Sequence, residues 1–222
     1  SGSLCMLLLS VPFRGDAQQR NATGADDQQT LNQALKEASG HVHYWLLIAG
    51  FFVCGFQLAF ITVHMPAYLS DNGFGAHVAV ISLSLIGLFN IFGCLLFGAW
   101  SSKHSKKNLL GIIYFCRAAA IAAFMLAPIS TTSVYLFSIV TGFLWLATVP
   151  PTSGLVAQMF GLKHMGSLYG IVFLNHQLGS FLGVWIGGYL YDTTGNYDKV
   201  WWAAAIIALI TAAIHVVIDE RP

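Results

Sequence analysis

Asn175, His176 and Gln177 stand side by side in the middle of an otherwise apolar run, LYGIVFLNHQLGSFLG, residues 168–183. An imidazole flanked by two amides can donate and accept hydrogen bonds. It can also take up a proton near neutral pH, because the unperturbed pKa of histidine is about 6.5. That combination suits holding a small polar or carboxylate-bearing solute and moving a proton with it. Arg117 is the second chemical group, a lone charge inside GIIYFCRAAAIAAF. As a helix, nine residues beyond Asn108 place it ~13 Å into an apolar layer of ~30 Å. An arginine at that depth costs about 2.5 to 3.5 kcal/mol on insertion scales. It could pair with an anionic solute, or it could serve the architecture. Helical spacing adds two polar stripes, one with Gln57 and His64, the other with Thr141, Trp145 and Thr148. His176 likewise has a structural reading, a hydrogen bond to a neighbouring helix.

The elements that must position these groups are membrane helices. Hydrophobic residues make up 56% of the 222 and charged residues only 9%, too few for the surface of a water-soluble domain. The apolar residues fall into six runs near the ~20 that span a bilayer as helix. They are Tyr44 to His64, His77 to Trp100, Leu109 to Ala127, Val134 to Met159, Leu168 to Tyr191 and Val200 to Ile218. A membrane barrel would show short alternating segments, and these runs do not alternate. The expected fold is therefore all-α and integral to the membrane, with six transmembrane helices arranged as two three-helix repeats. The glycine-spaced second and fifth runs suggest the repeat. Pro150 and Pro151 should break or kink the fourth run.

Basic residues set the orientation. Lys103, Lys106, Lys107 and Lys163 lie in loops on the same side as Arg14, Arg20, Lys36 and Arg221, while the opposite loops carry only Lys199. Both ends of the chain are expected in the cytoplasm. Cys5, Cys54, Cys94 and Cys116 read as free thiols in apolar surroundings, since no metal-ligand spacing is present. HExxH, GxSxG and paired membrane aspartates are absent, so an enzyme is not expected, and no catalytic residue, metal or cofactor is assigned. A net charge of +1 gives no reason to expect a nucleic-acid partner.

The loop GAWSSKHSKKNLL, residues 98–110, resembles the loop between the second and third helices in each half of major facilitator superfamily transporters. Gly98, Lys103, Lys106 and Lys107 match that pattern, with Ser102 in place of its Asp and Ser105 in place of its Gly. The stretches GFQLAFITVHMPAYLSDNGF and PPTSGLVAQMFGLKHMGSLYGIVFLNHQLGSFLG, running on to Trp202, are similar to the carboxy-terminal half of members in the oxalate/formate antiporter and monocarboxylate transporter branch. The resemblance implies the C-terminal half-bundle of a twelve-helix fold. Residues 1–13 would end a preceding transmembrane helix, 14–43 would form a cytoplasmic linker, and 44–222 would form the six-helix bundle. TLNQALKEAS in that linker could be a short amphipathic helix.

The resemblance also implies the amino-terminal half of the same transporter as a partner, against which the glycine faces would pack. It implies a secondary transporter of a small organic solute, with a monocarboxylate as the candidate, working by alternating access in a cell membrane (a bacterial inner membrane). The expected partners are thus the solute, the lipid bilayer and that other half. The candidate substrate-binding residues are His176, Asn175, Gln177, Gln57, His64, Trp145, Thr148 and Arg117. Carboxylate-transporting members place a lysine where this chain has His176 and an arginine where it has Cys94. The alternative function is a membrane sensor or scaffold of the same fold that moves no solute.

Overall fold

The computed structural model of the chain describes residues 29–220, and every regular element among them is helical. The readings of residues 1–13 as a helix end and of most of the linker lie outside the described residues. The helices are α1 (Leu31–Gly40), α2 (Val42–Asp71), α3 (Ala76–Ser101), α4 (Lys106–Leu126), α5 (Thr131–Leu144), α6 (Val149–Phe160), α7 (Met165–Thr194) and α8 (Asp198–Val217). Helix α1 is the amphipathic segment anticipated before the first span. It starts at a capping box in which the Thr30 hydroxyl accepts from the Gln33 amide and the Gln33 side chain accepts from Thr30 N–H. Ser130 and Ser133 make the same box at α5, and Ser105 caps α4.

Five stretches are long and apolar enough to cross a membrane by length and composition: α2, α3, α4, α8, and Thr131–Phe160 counted through α5 and α6. Helix α7 supplies the sixth span. It is thirty residues long, as long as α2, but Asn175, His176 and Gln177 lower its mean hydropathy. The first span overshoots its expected end at His64 and runs through Pro66 to Asp71. The fourth is broken, as its prolines suggest. The gap covers residues 145–148, and Pro150 and Pro151 sit in the first turn of α6, where missing N–H groups cost little.

The spans associate in three main pairs: α2 with α7, α3 with α5, and α4 with α8. Exchanging the first three spans for the last three maps the first pair onto the second and the third onto itself. The two exchanged pairs are built alike. A Cβ at Gly55 would lie 1.9 Å from the His176 carbonyl oxygen, and Cβ atoms at Gly179 and Gly183 would meet the carbonyls of Phe52 and Phe56 at 2.1 and 2.3 Å. In the other pair a Cβ at Gly93 would lie 1.9 Å from Phe143 O, and one at Gly142 would lie 2.6 Å from Ile86 O. Glycine is thus what lets these backbones touch.

The glycine face of α7 is therefore used inside this chain, against α2. That corrects the expectation that it packs on another half. On α3, the stripe Gly87, Asn90, Cys94, Gly98 is partly open, and the buried face is Ser82, Ile86, Gly93 and Phe97. Ser82 donates to Ser138 (2.6 Å), whose own proton goes to Val134 O.

Outward faces carry large apolar side chains, among them Leu95, Phe115, Leu136, Phe181, Trp185 and Val216, each more than half exposed. Such surface is stable only in a lipid or protein environment. A thermal-unfolding series in detergent tests the glycine seams. Gly179→Ala should destabilise by about 1–3 kcal/mol through the forced helix separation. Gly170→Ala on the same helix has open space around it and should be neutral or stabilising by up to about 1 kcal/mol.

Candidate functional site

The break in the fourth span creates a local problem of unpaired backbone. In an unbroken helix the Leu144 and Trp145 carbonyls would take the N–H groups of Thr148 and Val149. Here Thr148 leads into α6, and Val149 N–H turns back to Leu146 O (3.0 Å). Arg117 on α4 fills both vacancies. Its Nε and Nη2 donate to Leu144 O (3.2 and 2.6 Å), and Nη2 also donates to Trp145 O. Asn90 on α3 serves the opposite polarity, its Oδ1 accepting from the Leu146 N–H (3.0 Å). The guanidinium also lies at the C-terminal, partially negative end of α5, where a cation is stabilised.

Arg117 thus has a structural assignment, and its partners bring other residues together. Nη1 donates to Cys54 Sγ (3.3 Å) on α2, and Cys54 Sγ lies 3.3 Å from the Thr148 hydroxyl. The Tyr114 ring lies 5.4 Å below the guanidinium carbon, a cation–π contact. These four bonds leave one of the five guanidinium N–H groups. A small cavity at this point is lined by Arg117, Gln57, Thr141 and Trp145 with Leu58, Ile61 and Ile121. Gln57 anchors there by donating to Ala204 O (2.9 Å), while its Oε1 is buried without a partner.

His176 stands beside Cys54 and is 8% exposed. It is held by rings rather than by hydrogen bonds. Phe173 stacks on it with planes 2° apart and centroids at 5.5 Å, and Phe51 lies at 4.8 Å. Neither ring nitrogen has a hydrogen-bond partner among the described residues. Unpartnered buried nitrogens are costly unless something else occupies them, so this is the one candidate with unused capacity on both sides.

The remaining candidates separate. His64 is buried further along α2. Its Nε2 donates to Val184 O (2.9 Å), so Nδ1 accepts from the Tyr197 hydroxyl (3.3 Å). Asn175 lines an apolar groove between α2 and α8, and Gln177 is exposed on the outer face of α7. One cluster therefore joins Arg117, Thr148, Trp145, Gln57 and His176, while His64, Asn175 and Gln177 lie elsewhere. Cys54, Tyr114 and Asn90 are the members that residue type alone did not single out. Cys54 already lay on the Gln57 stripe, and that was the available signal.

At the other end of the bundle, Ser102 occupies the position where an Asp was implied, and its hydroxyl donates to Ala99 O (2.7 Å). An acid from the end of the described chain comes to the loop instead. Glu220 accepts from the Ser105 hydroxyl (3.0 Å) and from Lys107 N–H, and its own carbonyl accepts from Gln158 (3.0 Å).

A family model described as Major Facilitator Superfamily matches residues 2–184. The chain is 29% identical over 181 residues to an uncharacterized MFS-type transporter, YcxA, of Bacillus subtilis (strain 168), covering 78% of this chain and 43% of that protein. It is 28% identical over 223 residues to monocarboxylate transporter 12-B of Danio rerio, covering 96% of this chain and 45% of that protein. To the uncharacterized MFS-type transporter YhjX of Escherichia coli (strain K12) it is 24% identical over 182 residues, covering 80% and 44%. The chain spans less than half the length of these relatives. Each is named as a transporter, and none as an enzyme.

The clasp on the fourth span has a measurable consequence. Arg117→Ala strands two buried carbonyls and should lower unfolding stability in nanodiscs by about 3 kcal/mol. Arg117→Lys supplies a point charge without the planar fork and should recover less than half of that. Unchanged melting in Arg117→Ala would show that the carbonyls find other donors.

Proposed function

We propose that this chain, which belongs to the Major Facilitator Superfamily, is the moving half of a secondary transporter for a small organic solute. The observation that carries this reading is the mid-depth break between α5 and α6, closed by side chains from α3 and α4 rather than by its own helix. Interrupted helices persist at membrane depth where backbone lines a cavity or moves, because neighbouring groups must take over the freed hydrogen bonds. A multi-pass membrane protein built from apolar helices, with one such interruption beside a small polar cavity, fits alternating access around that level.

Within this reading the solute is a monocarboxylate. Several relatives bear that name, and the cluster offers two groups suited to an anion. Arg117 retains one N–H beside the cavity, and His176 has two free nitrogens that become two donors on protonation. Uptake of a proton by His176 would create the charge that binds a carboxylate, so solute and proton would travel together. An amino-terminal half completes the cavity, as expected for a chain covering less than half of its relatives. The excess of lysines on one side supports a cytoplasmic 98–110 loop, in keeping with a bacterial inner-membrane location.

The test is uptake of labelled monocarboxylates into proteoliposomes holding this chain with an amino-terminal half. Acidifying the outer compartment should accelerate uptake in the wild type, and His176→Ala should abolish that acceleration. Equal, pH-dependent uptake by both would remove His176 from the mechanism. If no solute moves under any gradient while the protein still binds a partner on ligand addition, the sensor or scaffold reading takes its place.

A further inference from the structure

We propose that the groove between the end of α3 and the start of α4 binds one anionic phospholipid. The groove encloses about 460 Å³. Phe97, Trp100, Leu109 and Ile112 form its walls, and His104 and Asn108 stand at its loop end. It is apolar toward the depth of the membrane and polar at the membrane surface, as a lipid molecule is. Trp100 and Ile112 are 44% and 56% exposed, so the groove opens outward, with the buried Phe97 and Leu109 as its floor. A tryptophan at this level is a usual interfacial anchor.

Charge decides which lipid. Three lysines and a histidine fall within residues 103–107. Lys106 is engaged, its Nζ donating to Gln158 (2.9 Å). Glu220 is the carboxylate at this loop among the described residues. It is held by the Ser105 hydroxyl and the Lys107 backbone, which leaves the ammonium groups of Lys103 and Lys107 without a partner among the described residues. Free phosphate would answer those charges and leave the apolar walls empty. A zwitterionic lipid would fill the walls and leave the net charge unanswered. An anionic phospholipid does both, with its acyl chain along Phe97 and Ile112 and its phosphate at Lys103, His104 and Lys107. Basic side chains at a membrane surface attract anionic lipid over a Debye length, each adding to the preference.

Native mass spectrometry of the full chain tests this, after exposure to equimolar phosphatidylglycerol and phosphatidylcholine with identical acyl chains. The expected result is one retained phosphatidylglycerol, favoured about tenfold. Lys103→Gln combined with Lys107→Gln should bring the ratio near unity. Lys199→Gln, on the opposite surface, should leave it unchanged. Trp100→Ala should reduce retention of both lipids, and matched thermal unfolding of all variants shows that the fold persists. Equal retention of the two lipids overturns the proposal. So does a preference that survives the double substitution, or displacement of the lipid by glycerol phosphate at equal concentration. Retention that appears only after residues 1–28 are removed would seat that segment in the groove and also overturn it.

Discussion

The clasp of Arg117 on the Leu144 and Trp145 carbonyls is the interaction on which the middle of this bundle depends. A guanidinium at 5% exposure inside a membrane protein needs compensation on every side. It receives backbone carbonyls, a cysteine sulfur, a ring face and the end of a helix, none of them a carboxylate. The carbonyls in turn need a donor because the helix breaks ahead of Pro150 and Pro151, so that Thr148 and Val149 no longer turn their N–H groups back to them. Each defect satisfies the other. The cost of burying the charge and the cost of breaking the helix would be severe separately, and together they define one joint among the first, third and fourth spans.

Around that joint the packing is set by glycine. Gly55 faces the His176 carbonyl while Gly179 and Gly183 face the Phe52 and Phe56 carbonyls across the first and fifth spans, and Gly93 and Gly142 face the Phe143 and Ile86 carbonyls across the second and fourth. Gly55 and Gly142 are 87 residues apart, Gly93 and Gly179 are 86 apart, so the two seams are one arrangement used twice. Backbone-on-backbone contact leaves no room for side chains to slide, so these seams hold their register as rigid pairs. The third pair, α4 with α8, is different. There Tyr114 stacks on His215 at 5.0 Å and donates to Gly50 O (2.7 Å), and Phe124 packs on Trp201. Two rigid glycine pairs resting on an aromatic third pair give a bundle whose one interrupted element is the α5–α6 junction.

Much of this was legible in residue order. The number of spans, their approximate ends, the stripe Gly50, Cys54, Gln57, Ile61, His64 and Tyr68 and the proline-broken fourth span all follow from hydropathy and helical period, and every stripe residue except the partly buried Tyr68 is buried. Direction was not legible. A period of 3.6 residues shows that the α7 glycines share a face but not whether that face meets its own first span or another half. The same limit hid the partition of the polar residues. Asn175, His176 and Gln177 are adjacent in sequence, yet one lines a groove, one is enclosed by Phe51 and Phe173, and one is exposed. Asn90 was visible as a polar residue on a glycine stripe. Its partner, the Leu146 amide, exists only because of a break two helices away.

The distribution of satisfied and unsatisfied groups narrows what the interior can do. His64 and Arg117 direct most of their hydrogen-bonding capacity to backbone and neighbouring side chains, Thr148 is held to Cys54, and Gln57 donates to Ala204 O. Such groups resist displacement, because a solute that took one of their bonds would strand a buried carbonyl at a cost of about 1–3 kcal/mol. Within this cluster, and among the described residues, one Arg117 N–H, Gln57 Oε1 and the two nitrogens of His176 carry no such bond. The imidazole lies under Phe173, which is 42% exposed. A ring on the open side of the helix can turn away without breaking a hydrogen bond, so access to His176 is limited by aromatic packing and not by the polar network beneath it. The clasp can therefore stay closed while the imidazole is reached, and the two remain separable parts of one cluster.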